Sequence, residues 1–241
     1  MGRLIAGVDD AGRGPVVGPL VIAGVLIDED RVNELIKIGV KDSKKLSPNS
    51  RKILFDQIRR GVNDYFFVEI SPSQIDEVVE KGRKLYKLNF LEAKAMAEVI
   101  SILKPDIAYV DSSDVDPDRF AEQIADGLPF EVKIISEHHA DEKYPVVSAA
   151  SILAKVKRDE IIDRIKAEYG DFGSGYPQDP KTLKFLREWM KEHKEFPSFV
   201  RKSWKTAKRV KKKSCFTIIK RSGTSHKRLP KFYSSFIDFI R

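Results

Sequence analysis

Hydrophobic positions along this chain alternate between two spacings, and the alternation lays out a mixed α/β protein. Residues 4–9 form a short apolar run that closes on acids, and residues 19–28 (PLVIAGVLID) are nearly all apolar between Gly18 and further acids. Both read as buried strands, paired antiparallel, with residues 63–70 as a third. Between them Pro48 opens a helix that runs to residue 60, with Ser47 placed to cap it. Residues 71–80 and 88–103 read as helices, the second carrying Leu91, Ala95, Val99 and Leu103 at helical spacing. Lys104-Pro105 ends it, and 107–111 is a buried strand with an acid at its C-terminal edge. A helix over 116–125 and a strand over 130–136 follow, then one long helix over 146–169, beginning just after Asp141, and another over 181–193. Strands covered by helices on both faces place binding sites at strand ends, and three carboxylate positions fall at such ends or at the approach to a helix.

The first of these is the most informative segment: Val8-Asp9-Asp10-Ala11-Gly12-Arg13-Gly14-Pro15. Successive strand residues point to opposite faces, so two neighbouring acids are expected to share one site only where the strand ends and the backbone turns. Gly12 and Gly14 supply the turn and let backbone N–H groups approach a sugar or phosphate, while Arg13 offers a fork of donors suited to phosphate oxygens. Asp9, Asp10, Asp111 and Asp141 offer oxygen ligands alone, which suits Mg²⁺ or Mn²⁺ rather than zinc. Four clustered carboxylates repel one another strongly without metal. Two divalent ions about 3.5–4 Å apart can activate a water and stabilise the leaving oxygen of a phosphodiester displacement. Asp114, Asp116 and Asp118 read as ordinary loop and helix-start acids.

Further motifs follow in order: Lys41-Asp42-Ser43-Lys44-Lys45-Leu46, Tyr109-Val110-Asp111-Ser112, His138-His139-Ala140-Asp141, Ser148-Ala149-Ala150-Ser151-Ile152-Leu153-Ala154-Lys155, Gly173-Ser174-Gly175-Tyr176-Pro177 and Val200-Arg201-Lys202-Ser203-Trp204-Lys205-Thr206. In this order and spacing, over residues 3–206, the chain resembles type 2 ribonuclease H, ribonuclease HII, in its archaeal form. The resemblance implies a ribonuclease H-like mixed sheet flanked by helices, with a C-terminal helical region. It implies an endoribonuclease that hydrolyses the RNA strand of RNA–DNA hybrids and incises at ribonucleotides embedded in duplex DNA, leaving 3′-hydroxyl and 5′-phosphate ends. Asp9, Asp10, Asp111 and Asp141 then stand where the family has its metal-binding catalytic set. Gly12, Arg13, Gly14 and Tyr176 stand where it reads the ribonucleotide at an RNA-to-DNA junction.

Tyr176 suits that task, because its phenol can exchange a hydrogen bond with the 2′-hydroxyl while its ring packs on the sugar, with Gly173 and Gly175 leaving room. Ser43, Lys44 and Lys45 look suited to phosphates, as do Ser148, Ser151, Lys155 and Arg158, three or four residues apart on one helix. Two departures from the family touch the site. The family's first motif normally reads Asp-Glu-Ala-Gly, so Asp10 is one methylene shorter than expected; His139 replaces a usual lysine beside Asp141.

Charge adds a partner to this picture. Of the net +8, the last 41 residues hold +13, with 14 Lys or Arg against Asp238 alone, which leaves −5 for the first 200. A basic tail over 207–241 on a mildly acidic catalytic body over 1–206 attracts a polyanion. At the far end Phe236, Phe239 and Ile240 have the apolar spacing of a replication-clamp-binding motif, although Tyr233 occupies the place of its usual glutamine; docking of this segment on the body is the other expectation. The single Cys215 and the absence of a signal or spanning run point to a cytoplasmic monomer. Two rival readings stay open: a nucleic-acid-binding protein with an impaired acidic site, and a ribonuclease H-like DNA endonuclease.

Overall fold

The computed structural model describes residues 2–40, 47–81 and 87–221. Ser43, Lys44 and Lys45, and the segment with Phe236, Phe239 and Ile240, lie outside the described residues. Five strands, β1 (Leu4–Ala11), β2 (Leu20–Asp28), β3 (Asp64–Ile70), β4 (Ile107–Asp111) and β5 (Lys133–Glu137), form one sheet in the order β3-β2-β1-β4-β5. β2 is antiparallel to both β1 and β3, whereas β4 is parallel to both β1 and β5. The change of sense at β1 makes it the strand beside which a crevice opens.

Helices cover both faces. On one lie α1 (Val32–Ile38), α2 (Pro48–Gly61) and the long α7 (Pro145–Tyr169); on the other lie α3 (Pro72–Lys81), α4 (Lys87–Leu103) and α5 (Pro117–Ala125). β2 is apolar throughout because both its faces are covered: Ala23, Val25 and Ile27 pack with α7, while Leu20, Ile22 and Leu26 pack with α4. The N-terminal half of α7 is buried on nearly every side, since it runs between the sheet and the α1–α2 pair. Its first turn presses so close to β1 that a Cβ on Gly7 would overlap the Val146 backbone. Beyond α7, α8 (Pro180–Glu192) and α9 (Lys205–Arg221) close a third apolar cluster of Phe172, Leu186, Met190, Phe199 and Val200 around Val16 and Val17. No helix among the described residues is long and apolar enough to cross a membrane.

Most expected elements are present within a residue or two, and the capping logic is visible. The Ser47 hydroxyl accepts from the Ser50 N–H at 3.1 Å, and Asp116 accepts from the Arg119 N–H at 3.1 Å. The last strand starts at Lys133 rather than 130, because its partner β4 begins at Ile107 and pairs first with Lys133. Three helices are additional, one of them the short α6 (Ala140–Lys143) between β5 and α7. α1 follows a short 3₁₀ turn at Glu29–Arg31 without a side-chain cap. α9 runs across position 206, where the sequence divides into body and basic tail, and it buries Ala207 and Val210 against the third cluster.

Candidate active site

The acids gather where β1 and β4 part. β1 pairs with β4 only as far as Val8 opposite Val110, whereas its pairing with β2 continues to Ala11 opposite Val21. Asp9 and Asp10 therefore lie inside a strand, not at its end as the sequence suggests, and their side chains leave on opposite faces. Asp9 turns toward α7 and Asp10 toward α4. They share one site because the β4 side of the strand is open at that point and Asp111 stands at the tip of β4. The Asp10 N–H also donates to the Asp9 carboxylate at 2.6 Å.

Charge crowding confirms the convergence of these three. Burial and then the nearby charges of Asp10 and Asp111 push the Asp9 carboxyl well above its usual range, against the pull of a hydrogen bond from Ser151. Burial also pushes Asp10 up to about 6, with Asp111 adding to it while Arg13, Ser113 and Lys155 oppose it. Lys155 Nζ donates to Ser151 Oγ at 2.7 Å, so α7 presents a Lys155–Ser151–Asp9 chain to the site. Asp111 accepts from the Ala140 N–H at 2.7 Å, which ties the tip of β4 to the short helix α6 (Ala140–Lys143) carrying Asp141. Asp141 is not among the main charges acting on Asp9 or Asp10. Lys143, two residues after Asp141, pairs with Glu137. His139 starts α6 in the left-handed conformation, φ 57°, with its ring exposed. Among the described residues no three Asp, Glu, His or Cys side chains already close on one ion position. An all-oxygen set whose members raise one another's proton affinity nevertheless suits a hard divalent cation, which would relieve their repulsion.

Several expected substrate contacts are placed differently. The Arg13 guanidinium is held in part by the protein: Nη1 donates to Ser113 O at 2.8 Å, Nη2 to Asn89 Oδ1 at 2.6 Å, and Nη1 lies 3.0 Å from Glu92 Oε2. The side chain is nonetheless 36% exposed, so both it and the backbone of the turn stay open to a ligand. Ser148 is buried, and its hydroxyl donates to Val40 O at 2.7 Å, where it anchors α7 rather than meeting a phosphate. Asp114, a loop acid by sequence, is buried and accepts from Asn89, Arg119 and the Asp116 N–H. Tyr176 is 44% exposed, which fits a contact residue and not a core tyrosine, and its ring carbon lies 3.5 Å from where a Gly14 Cβ would be. Arg158 sits beside Gly12 with a side chain only 9% exposed, and its Nε and Nη2 find no hydrogen-bond acceptor among the described residues.

Two residues without an assigned role by sequence stand out. Glu92 is fully buried on α4, and burial together with Asp10 pushes its carboxyl up to about 8 despite Arg13 and Arg201. Arg201 is fully buried as well, and burial lowers it to about 10. Neither is legible from a charge in a sequence; the helical offset of three between Asn89 and Glu92 is the one signal that both face Arg13.

Similarity to known proteins identifies the family. The family model for ribonuclease HII matches residues 6–207. A ribonuclease HII of Pyrococcus abyssi is 51% identical over 211 residues, covering 87% of this chain and 92% of that protein. Among solved structures, the ribonuclease H2 of Pyrococcus horikoshii superposes with a TM-score of 0.82 at 46% identity, covering 88% of this chain and 99% of that one. A PCNA:RNase HII complex from Archaeoglobus fulgidus gives a TM-score of 0.76 at 44% identity, with 86% and 96% covered.

Proposed function

The chain belongs to the ribonuclease HII family and is an endoribonuclease acting on RNA–DNA hybrids on a ribonuclease H-like fold, and from that premise we propose which of its residues do the work. The convergence of Asp9, Asp10 and Asp111 at the parting of β1 and β4 carries the reading. With Asp141 on α6 they hold divalent cations, on which this family depends, as Mg²⁺ or Mn²⁺. Bound there, two such ions would supply an activated water and neutralise charge on the leaving oxygen, consistent with 5′-phosphate and 3′-hydroxyl ends. The backbone of the Gly12-Arg13-Gly14 turn and the exposed phenol of Tyr176 recognise the ribose, so the enzyme also incises at a single ribonucleotide within duplex DNA. Lys155 and the guanidinium of Arg158, whose Nε and Nη2 have no acceptor among the described residues, attract the phosphates on either side, with Ser151 orienting Lys155. Ser43, Lys44 and Lys45 join them as sequence-level candidates.

The chain works as a monomer, a catalytic body extended by a basic C-terminal segment. Because the Archaeoglobus relative forms a complex with PCNA, the C-terminal Phe236, Phe239 and Ile240 are the candidate contacts to a sliding clamp. The deciding assay incubates a labelled DNA duplex containing one ribonucleotide with Mg²⁺, Mn²⁺ or chelator, beside an all-DNA duplex and an Asp10→Glu version of the enzyme. Metal-dependent incision at the ribonucleotide alone supports the assignment. Incision by the Glu version only shows that Asp10 holds the site in an impaired form, and cutting of the all-DNA duplex refutes ribose recognition by the turn and Tyr176.

A further inference from the structure

The carbonyl oxygens of the 12–14 turn converge on one patch of the C-terminal segment. Arg201 donates from Nη2 to Gly12 O at 2.5 Å, from Nη1 to Arg13 O at 2.8 Å and from Nε to Gly18 O at 3.0 Å. Trp204 Nε1 donates to Gly14 O at 3.2 Å, and the Arg201 guanidinium lies 5.0 Å from the Trp204 ring. Every peptide of the turn thus has its carbonyl held from the same side. In a trans peptide the following N–H points the opposite way, so the N–H groups of Arg13 and Gly14 are turned away from Arg201. Neither meets an acceptor among the described residues. The clamp is itself anchored: Asp76 on α3 accepts from the Lys202 and Ser203 N–H groups at 2.8 and 2.9 Å.

A guanidinium is an expensive way to hold a loop. Arg201 has no exposed surface, and its hydrogen bonds all go to neutral carbonyls. Burying a charge on such terms costs more than an apolar side chain filling the same space. What the rigid planar fork adds is orientation, because it fixes three carbonyls in one plane at once.

We propose that Arg201, seconded by Trp204, is a positioning residue that presets the 12–14 turn and thereby sets the preference for an isolated ribonucleotide over a continuous RNA strand. This rests on the reading that the turn and Tyr176 recognise the ribose. A single ribonucleotide can be cut in one register only. A continuous hybrid offers a ribose at every step, so a displaced turn still finds a neighbouring linkage.

The test compares kcat/KM on a DNA duplex with one ribonucleotide against kcat/KM on an RNA–DNA hybrid of equal length, for the native enzyme and for Arg201→Lys, Trp204→Phe and Tyr176→Phe. The ratio of the two values is independent of the fraction of folded enzyme. Arg201→Lys is expected to lower the ratio about tenfold, given that misplacement by about 1 Å costs up to a hundredfold, and Trp204→Phe to lower it a few fold. If Arg201→Lys fails to fold, Trp204→Phe decides alone, since it keeps the ring and loses one donor. An unchanged ratio in both clamp variants, while Tyr176→Phe alters it, overturns the clamp and leaves the reading of the ribose intact. An unchanged ratio in all three overturns that reading and the clamp with it.

Discussion

Replacing Asp10 by Asn should abolish incision and at the same time make the metal-free protein more stable. Burial and Asp111 raise the Asp10 carboxyl from the ordinary 3.8 to about 6, so the ionised form is disfavoured in the fold. At about 1.4 kcal/mol per pH unit, that gap corresponds to about 3 kcal/mol as an upper limit. Solvent at the half-buried edge of the side chain screens part of it, which leaves an expected gain of about 1–2 kcal/mol, or roughly 2–8 °C in Tm for a chain of this size. A carboxyl raised in the folded state costs stability above its folded value, and the cost fades as pH falls toward the unfolded 3.8. Thermal unfolding in chelator at pH 8 should therefore show Asp10→Asn melting above the native protein, with the difference shrinking between pH 6 and pH 4. Saturating Mg²⁺ should reverse the order, because the native site gains a cation that the variant holds less well. If the variant melts below the native protein at pH 8 without metal, Asp10 is stabilised where it stands and the crowded-carboxylate account of the site is wrong. A difference that persists unchanged at pH 4 would assign the effect to packing instead of charge.

Other expectations are narrower. Gly12→Ala meets a φ of 97° and would put its Cβ 2.5 Å from Arg158 Cδ and 2.8 Å from Pro19 O, so it should cost at least about 1–2 kcal/mol and most of the incision activity; urea unfolding and the single-ribonucleotide assay measure both. Asn89→Ala removes the acceptor for Arg13 and a donor to buried Asp114, which should cost about 1–3 kcal/mol and loosen the turn, read as a lowered urea midpoint together with reduced kcat/KM. Asp179 caps α8 and accepts from the Ser174 N–H and hydroxyl, which hold it down at about 2; Asp179→Ala should lower Tm at neutral pH, and the gap should vanish as pH falls through about 2, a profile that acid titration of both proteins checks.

The strands and long helices were legible because their signals are local. The apolar run of β2, the Pro48 start of α2 and the Asp111 edge of β4 each fall within a few residues of sequence. α1 escaped notice since Val32-Asn33-Glu34-Leu35 follows Arg31 with neither a capping side chain nor two full turns of pattern. α9 was hidden by its own lysines: among its described side chains, Ala207 and Val210 face the third cluster from between charged neighbours, too few to show a period. At the site, the residue types Asp9, Asp10, Asp111 and Tyr176 could be picked out, but the direction of a long side chain could not. Arg13, whose fork reads as a phosphate donor, also leans on Glu92 and Asn89, which wait for it on a helix some 76 residues away in sequence. Buried Arg201 looks no different in sequence from the exposed lysine beside it.

The bonds from Arg201 and Trp204 to the turn span between 188 and 190 residues of chain. Synthesis delivers Asp9, Asp10 and the turn first and their clamp nearly last. Closing so long a loop comes late in folding, after the local helices and the β1–β2 hairpin. A growing chain arrested before residue 201 should thus carry its carboxylates on a sheet with no set turn beside them, and such stalled chains should cut poorly at a single ribonucleotide until release. A nuclease arranged in this way does not acquire its full selectivity, or its full capacity to cut, until almost the entire body has left the ribosome.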